Sequence, residues 1–175
     1  ISGFSIIKFT GTGSGGATIG HGLSKKPKLI IIKKIDGSGN WVYWQDTTGN
    51  GTSDIRLILN GDNSNYNNYH VTFGTNTVTL PSTSDAAWSG SGAEYIAYCL
   101  TDIKGFSNYG KFIGSGNANG AVLNLGFKPA WVMIRNTQDG EGWMLHDTTV
   151  DDATAQGNTV DRRFQVNENQ AEVGT

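Results

Sequence analysis

Cysteine, proline and charged residues are all scarce in this sequence. The scarcity of cysteine and the low charge argue against whole classes of protein. The 175 residues include one cysteine, Cys99, and three prolines, and 16% of the residues are charged. A single cysteine excludes an intrachain disulfide and any zinc site built from several cysteines. A formal net charge of −2 argues against the clustered positive charge that binding to phosphates needs. We therefore expect no nucleic-acid partner.

Long apolar runs are missing as well. The longest, Leu29–Ile32 with its neighbours, is much shorter than the roughly 20 apolar residues of a bilayer-spanning helix, so no membrane insertion is expected. What the sequence has instead is glycine, 25 residues of it, together with many Asn, Ser and Thr residues. This composition favours short strands joined by tight turns, because glycine and asparagine accept the positive φ angles that such turns require.

One ordered series of landmarks occurs twice in the sequence, at positions that differ by 101 to 104. The matching positions are Gly3 and Gly105, Lys8 and Lys111, Gly22 and Gly126, Pro27 and Pro129, Trp41 and Trp143, and Asp46 and Asp147. Such an ordered series indicates a duplicated unit. We predict an all-β chain of two tandem β-sandwich-like, jelly-roll-like repeats, which we call the first unit (residues 1–103) and the second unit (residues 104–175).

The second unit is shorter than the first and lacks counterparts of residues 74–100. That stretch of the first unit contains two predicted strands, so the second unit would leave apolar sheet edges uncovered. We expect the second unit to be truncated or to be completed by another segment, either continuing sequence or a neighbouring subunit.

Short β-branched and aromatic runs between turn-forming clusters predict the strands. In the first unit they are Ile6–Phe9, Ala17–Ile19, Lys28–Lys34, Trp41–Trp44, Ile55–Leu59, Tyr69–Phe73, Thr77–Leu80 and Tyr95–Leu100. In the second unit they are Tyr109–Ile113, Ala121–Leu125, Trp131–Arg135, Trp143–His146 and Arg163–Val166. A single helical turn is predicted at Asp151–Gln156, where two carboxylates precede two alanines.

Four motifs are candidate sites. The run Gly11–Gly16 has the spacing G-x-G-x-x-G of a dinucleotide loop, but a strand is predicted after it instead of a helix, which favours a hairpin turn.

The histidines are isolated in the sequence, so no transition metal and no cofactor is expected. Cys99 lies in an apolar strand and is interpreted as a buried, inert thiol. Asp46, Asn50 and Asp54 offer oxygen ligands for calcium, but Asx turns explain them without an ion.

The sequence has five tryptophans, and their positions predict two roles. Trp41 and Trp143 recur at equivalent strand starts, as expected of a core residue that each unit uses. Trp44 and Trp88 have no counterparts in the other unit, so we interpret them as surface side chains on which a sugar ring of a glycan could stack.

Two stretches carry a family resemblance. Gly11–Lys34 combines a glycine-rich turn, a Lys-Pro pair and an apolar run, and Tyr95–Gly110 reads YIAYCLTDIKGFS from its start. The sequence resembles a β-rich repeat domain of uncharacterised structural proteins of bacteriophages, many of them marine. The resemblance implies a virion component, such as a tail fibre, tail tip or capsid-surface decoration, and it carries over no catalytic residue.

The expected function is therefore that of a non-enzymatic virion structural protein at the particle surface, which assembles with copies of itself and with other virion proteins. The alternative is a carbohydrate-binding module of a secreted or surface protein, with a host-surface glycan as its ligand. A glycan-cleaving enzyme would need two carboxylates facing each other about 5–10 Å apart, and no spacing in the sequence selects such a pair. We expect no catalytic residues.

Overall fold

The computed structural model describes residues 3–61, 68–150, 162–168 and 173–174. Within these residues the protein is all-β, as predicted, and has no helix long and apolar enough to cross a membrane. The helical turn predicted at Asp151–Gln156 lies outside the described residues. The strands are β1 (Phe4–Thr10), β2 (Thr18–Gly20), β3 (Leu29–Lys34), β4 (Trp41–Gln45), β5 (Ile55–Ile58), β6 (Thr72–Phe73), β7 (Thr77–Thr79), β8 (Glu94–Leu100), β9 (Trp131–Ile134), β10 (Met144–Asp147), β11 (Arg162–Gln165) and β12 (Val173–Gly174).

A five-stranded antiparallel sheet in the order β1-β8-β3-β4-β5 forms the main part of the first unit. Its central strand pairs are long-range, because β8 lies between β1 and β3. The side chains of β8 alternate strictly between buried and half-buried positions. This period-2 pattern gives the sheet two distinct faces.

One face of that sheet packs against a three-stranded sheet in the order β2-β7-β6. Ile30, Ile32 and Trp44 of the larger sheet share one buried cluster with Val78 and Phe73 of the smaller sheet. Burying such side chains stabilises the fold by roughly 1.5–3 kcal/mol each. We call this side of the five-stranded sheet the inner face and the opposite side the outer face.

The third sheet, in the order β12-β11-β10-β9, belongs to the second unit. Its strands pair in the same register as those of the first unit. Ile32 pairs with Val42 in β3 and β4, and Ile134 pairs with Met144 in β9 and β10, so both members of the pair shift by 102. Strands β9, β10 and β11 are therefore the positional counterparts of β3, β4 and β5.

All eight strands predicted in the first unit overlap observed strands. In the second unit the predicted strands Tyr109–Ile113 and Ala121–Leu125 are wrong, because these segments have no strand structure. The physical reason lies in the pairing of their counterparts β1 and β2, whose sheet partners in the first unit are β8 and β7. The described part of the second unit contains no counterpart of β7 or β8, and an extended segment without a partner forms no ladder of hydrogen bonds.

Candidate functional site

Trp44 and Trp88 are not surface side chains, so the predicted glycan contact at these residues is wrong. Both are 0% exposed, and their rings meet edge to face with centroids 5.6 Å apart. The indole Nε1 of Trp44 donates to the Tyr69 carbonyl at 2.8 Å, and that of Trp88 donates to the Thr83 carbonyl at 3.2 Å. The alternation of β4 places Trp44 on the same face as buried Val42, which is why it points inward.

The loop with the candidate calcium ligands uses its oxygen atoms internally. The Oδ1 atom of buried Asp46 accepts hydrogen bonds from the Thr48 N–H and hydroxyl and from the Gly49 N–H, and its Oδ2 atom accepts one from the Gly51 N–H. Burial alone raises the pKa of Asp46. The hydrogen bonds from Gly51, Gly49 and Thr48 and the charge of Lys28 outweigh burial and lower this pKa.

The two other candidate ligands also accept hydrogen bonds from the loop. The Oδ1 atom of Asn50 accepts from the Thr52 N–H at 2.8 Å. The Asp54 carboxylate accepts from the N–H and the hydroxyl of Thr47. No group of three or more potential metal-ligating side chains occurs among the described residues. The geometry of this loop is that of Asx turns, in which backbone N–H groups occupy the positions a cation would need.

The glycine-rich run Gly11–Gly16 is a connection between two sheets and not a hairpin. It joins β1 of the five-stranded sheet to β2 of the three-stranded sheet. Gly13 and Gly16 have positive φ angles of 74° and 73°, which favour glycine. The element after the run is a strand, so the loop lacks the helix N-terminus on which a dinucleotide phosphate normally rests.

His21 and Cys99 are both fully buried. The Nδ1 atom of His21 accepts a hydrogen bond from the Leu23 N–H, and its Nε2 atom lies 3.2 Å from the Gly74 carbonyl. Because Nδ1 is the acceptor, Nε2 is the ring nitrogen placed to donate to the Gly74 carbonyl. Burial raises the pKa of the Cys99 thiol to about 12, which removes the thiolate that a nucleophile needs.

An aromatic row lies on the outer face of the five-stranded sheet. Phe4, Tyr98 and Trp41 come from three different strands, and their successive ring centroids are 6.3 and 5.9 Å apart with nearly parallel planes. Phe4 is exposed, and the other two are half-buried. Trp41 therefore lies at an open face and not in the core as we predicted. The signal for this row is the alternation of β8, which places Tyr98 on the face opposite to buried Tyr95.

The outer face also carries the contact between the two units, at β4 and β5. Buried Trp143 packs edge to face on Tyr43 with ring centroids 5.2 Å apart, and its Nε1 atom donates to the Ile58 carbonyl. The guanidinium of Arg135 lies 5.3 Å from the centre of the Trp143 ring and also donates to the Ile58 carbonyl. Trp143 is a core residue as predicted, but the core that it fills lies between the units.

The second unit has exposed apolar side chains and an unpaired strand edge, which we call its open side. Among the described strands, β9 is the last of its sheet. Ile113 is 86% exposed, Val122 is 95% exposed and Trp131 is 53% exposed. Large apolar side chains are exposed at these positions because the segments that carry them have no covering strand. Sequence analysis predicted an uncovered second unit but placed strands where the chain has none.

The family model for DUF7483, a domain of unknown function, matches residues 1–175. No curated protein and no solved structure matches the chain.

Proposed function

The chain belongs to the DUF7483 family, and we propose that it is a non-enzymatic structural module of a bacteriophage virion. It acts by association with copies of itself and with other virion proteins at the particle surface. In this proposal the two units are tandem β-sandwich-like repeats, and the second is completed by association.

The observation that carries the assembly part is the open side of the second unit. Ile113, Val122 and Trp131 are exposed in the second unit, and no described strand pairs with β9 at the end of its sheet. Exposed apolar side chains and unpaired strand edges are typical of surfaces that another chain covers. The virion part of the proposal is supported by the sequence resemblance at Gly11–Lys34 and Tyr95–Gly110.

The virion proposal is tested by locating the protein in purified phage particles. We expect peptides of this chain in the particle proteome at a copy number that is a multiple of the particle symmetry. Antibodies against the chain should label the particle surface in electron micrographs. A particle that is complete and infective without the protein would contradict the proposal.

Assembly is tested by sedimentation of the 175-residue protein over a wide concentration range. We expect self-association that the double substitution Ile113→Ser and Val122→Ser reduces. Ile35→Ser is the matched control, because Ile35 is 48% exposed but lies in the first unit between β3 and β4. Association that responds equally to both variants would not involve the open side of the second unit.

Carbohydrate binding is the second candidate, and the aromatic row favours it. Phe4, Tyr98 and Trp41 form a row of stacked aromatic rings at the outer face, and the side chains of Asn40 and Asn60 are hydrogen-bonded to each other beside Trp41. Aromatic rings bind the apolar faces of sugars, and amides bind their hydroxyls. A glycan array should then show a ligand whose binding Trp41→Ala abolishes. The control Trp131→Ala removes an exposed tryptophan outside the row and should leave binding unchanged.

A further inference from the structure

We propose that the second unit binds an extended peptide strand with the side-chain pattern of β8, which pairs antiparallel with the outer edge of β9. The inference rests on the proposed assembly function and names the chemistry of the partner. It follows from a comparison of the two units, because the first unit shows what occupies the corresponding position.

In the first unit that position is filled by β8. The strand pairs along its whole length with β1 on one side and with β3 on the other. Ile32 of β3 is thus held between Ala97 of β8 and Val42 of β4. In the second unit Ile134 of β9 pairs with Met144 on one side, and no strand of the described residues pairs with β9 on the other.

The free edge of β9 presents a defined set of backbone groups. In the first unit the Lys28 carbonyl accepts from the Asp46 N–H on the β4 side, whereas the Ile35 N–H donates to the Glu94 carbonyl on the β8 side. The backbone N–H and C=O groups of successive residues point to opposite sides of a strand. Even-numbered residues of β3 therefore form hydrogen bonds with β4, and odd-numbered residues form them with β8. The second unit repeats this, because the Ala130 carbonyl accepts from the Thr148 N–H. The N–H and C=O groups of Trp131 and Met133 accordingly point to the free edge.

The side chains around that edge match a strand of alternating character. In β8 the buried positions are Tyr95, Ala97 and Cys99, so one aromatic and two small residues face the core. Ala97 lies opposite Ile32, whose counterpart in β9 is Ile134. A small residue therefore fits opposite Ile134 as well, and apolar residues at the intervening positions would cover part of Trp131.

Charge defines the first residue of the bound strand. In the first unit Glu94 forms an ion pair with Lys8 and accepts a hydrogen bond from Thr10. A strand with the pattern of β8 therefore begins with an acidic residue. The partner is thus an extended segment with an acidic start, alternating small and apolar residues, and no proline.

The test uses a fluorescent synthetic peptide with the sequence of residues 93–102, added to the 175-residue protein under reducing conditions. We expect saturable binding and slowed amide exchange at Trp131 and Met133. A peptide that is N-methylated at the position of Tyr98, whose N–H faces β3 in the first unit, should bind about tenfold more weakly, since it loses one strand-pairing hydrogen bond. A scrambled peptide is the control for composition.

Three results would overturn the proposal. The first is the absence of binding, and the second is equal affinity of the methylated peptide. The third is slow exchange at Trp131 and Met133 before peptide is added, together with a dimer in sedimentation, because a second copy would then cover the edge. The outcome is separable from that of the virion proposal, which depends on finding the protein in particles and not on this peptide.

Discussion

Asp46 is a buried carboxylate that organises its own loop. Its two oxygens accept four hydrogen bonds from Thr48, Gly49 and Gly51. The negative charge is thereby stabilised by backbone N–H dipoles in place of water or a cation. The pKa of Asp46 is lowered in the folded protein, so the loop is most stable when this group is ionised.

We expect Asp46→Asn to lower the free energy of unfolding by about 2 kcal/mol at neutral pH, because the amide nitrogen would face the Gly51 N–H in place of an acceptor. The folded-state pKa lies below the unfolded value of about 3.9, so the contribution of the charge is complete above that value. It is lost as pH falls through the folded pKa. Urea unfolding of both proteins at several pH values should show the difference shrinking in acid.

The matched control is Asp147→Asn. Asp147 accepts hydrogen bonds from the N–H and hydroxyl of Thr149 in the same way, but it is half-buried and has fewer donors. A smaller loss of stability is expected. Equal losses in the two variants would contradict the role assigned to burial of Asp46.

Calcium should have no effect on thermal stability. The Asp46, Asn50 and Asp54 oxygens are already engaged by donors of the loop, and a cation would have to displace these donors. Thermal unfolding with added calcium and with a chelator should therefore give the same Tm. A rise in Tm that depends on calcium and is lost in Asp46→Asn would restore the calcium interpretation.

The stability lost when a tryptophan is removed should depend on how deeply its side chain is buried. Trp88→Ala removes a fully buried indole that contacts Trp44, and we expect it to cost about 3–5 kcal/mol. Trp41→Ala removes a half-buried ring at the outer face and should cost clearly less. Chemical denaturation of the two variants under the same conditions measures the difference.

At the scale of elements, a side chain closes the same hairpin in each unit. The Oδ1 atom of Asn60 accepts from the Trp41 N–H at 2.8 Å, and that of Asn167 accepts from the Trp143 N–H at 2.7 Å. The Leu59 and Val166 N–H groups donate to the carbonyls of the same tryptophans. The hydrogen bonding is thus repeated as well as the strand register.

We expect Asn60→Ala to lower the free energy of unfolding by about 1 kcal/mol, the usual net value of one hydrogen bond. Asn60→Asp keeps the acceptor oxygen and should retain most of the stability. Urea unfolding measures both effects. A loss in Asn60→Asp as large as in Asn60→Ala would mean that the acceptor oxygen is not what stabilises the hairpin.

The strands of the first unit were predictable because each has a local pattern and a partner within the unit. Runs such as Leu29–Lys34 are recognisable as strands by their β-branched residues, and their pairing partners lie in the same unit. Tyr109–Ile113 has a similar local pattern but forms no strand. Strand formation there depends on a partner that local sequence does not contain, and propensity without pairing is insufficient.

The candidate site was less predictable than the fold. The lack of a counterpart in the second unit predicts a surface position for Trp44, whereas the alternation of β4 sets its orientation toward the core. The aromatic row combines residues from β1, β8 and β4 whose proximity depends on strand order, and strand order is not readable from separate segments. The repeat itself shows only that the second unit lacks counterparts of residues 74–100.

At the scale of the whole molecule, Trp143 couples the two units. It contacts Tyr43 and donates to the Ile58 carbonyl of the first unit. We expect Trp143→Ala to uncouple them, so that calorimetry shows two unfolding transitions where the wild type shows one. Trp131→Ala, which removes an exposed ring of the second unit, is the control and should keep a single transition. Two transitions in the wild type would contradict the coupling.

The contact between the units is not reciprocal. The face of the second sheet that carries Met133 and Trp143 is the counterpart of the outer face of the first sheet, with Ile31 and Trp41, and it packs on that same outer face. Trp143 contacts Tyr43 of the first unit, whereas its counterpart Trp41 stacks on Tyr98 of its own unit. Equivalent residues therefore make different contacts, unlike those of a twofold dimer. Such a contact has a direction along the chain and does not by itself close after two units.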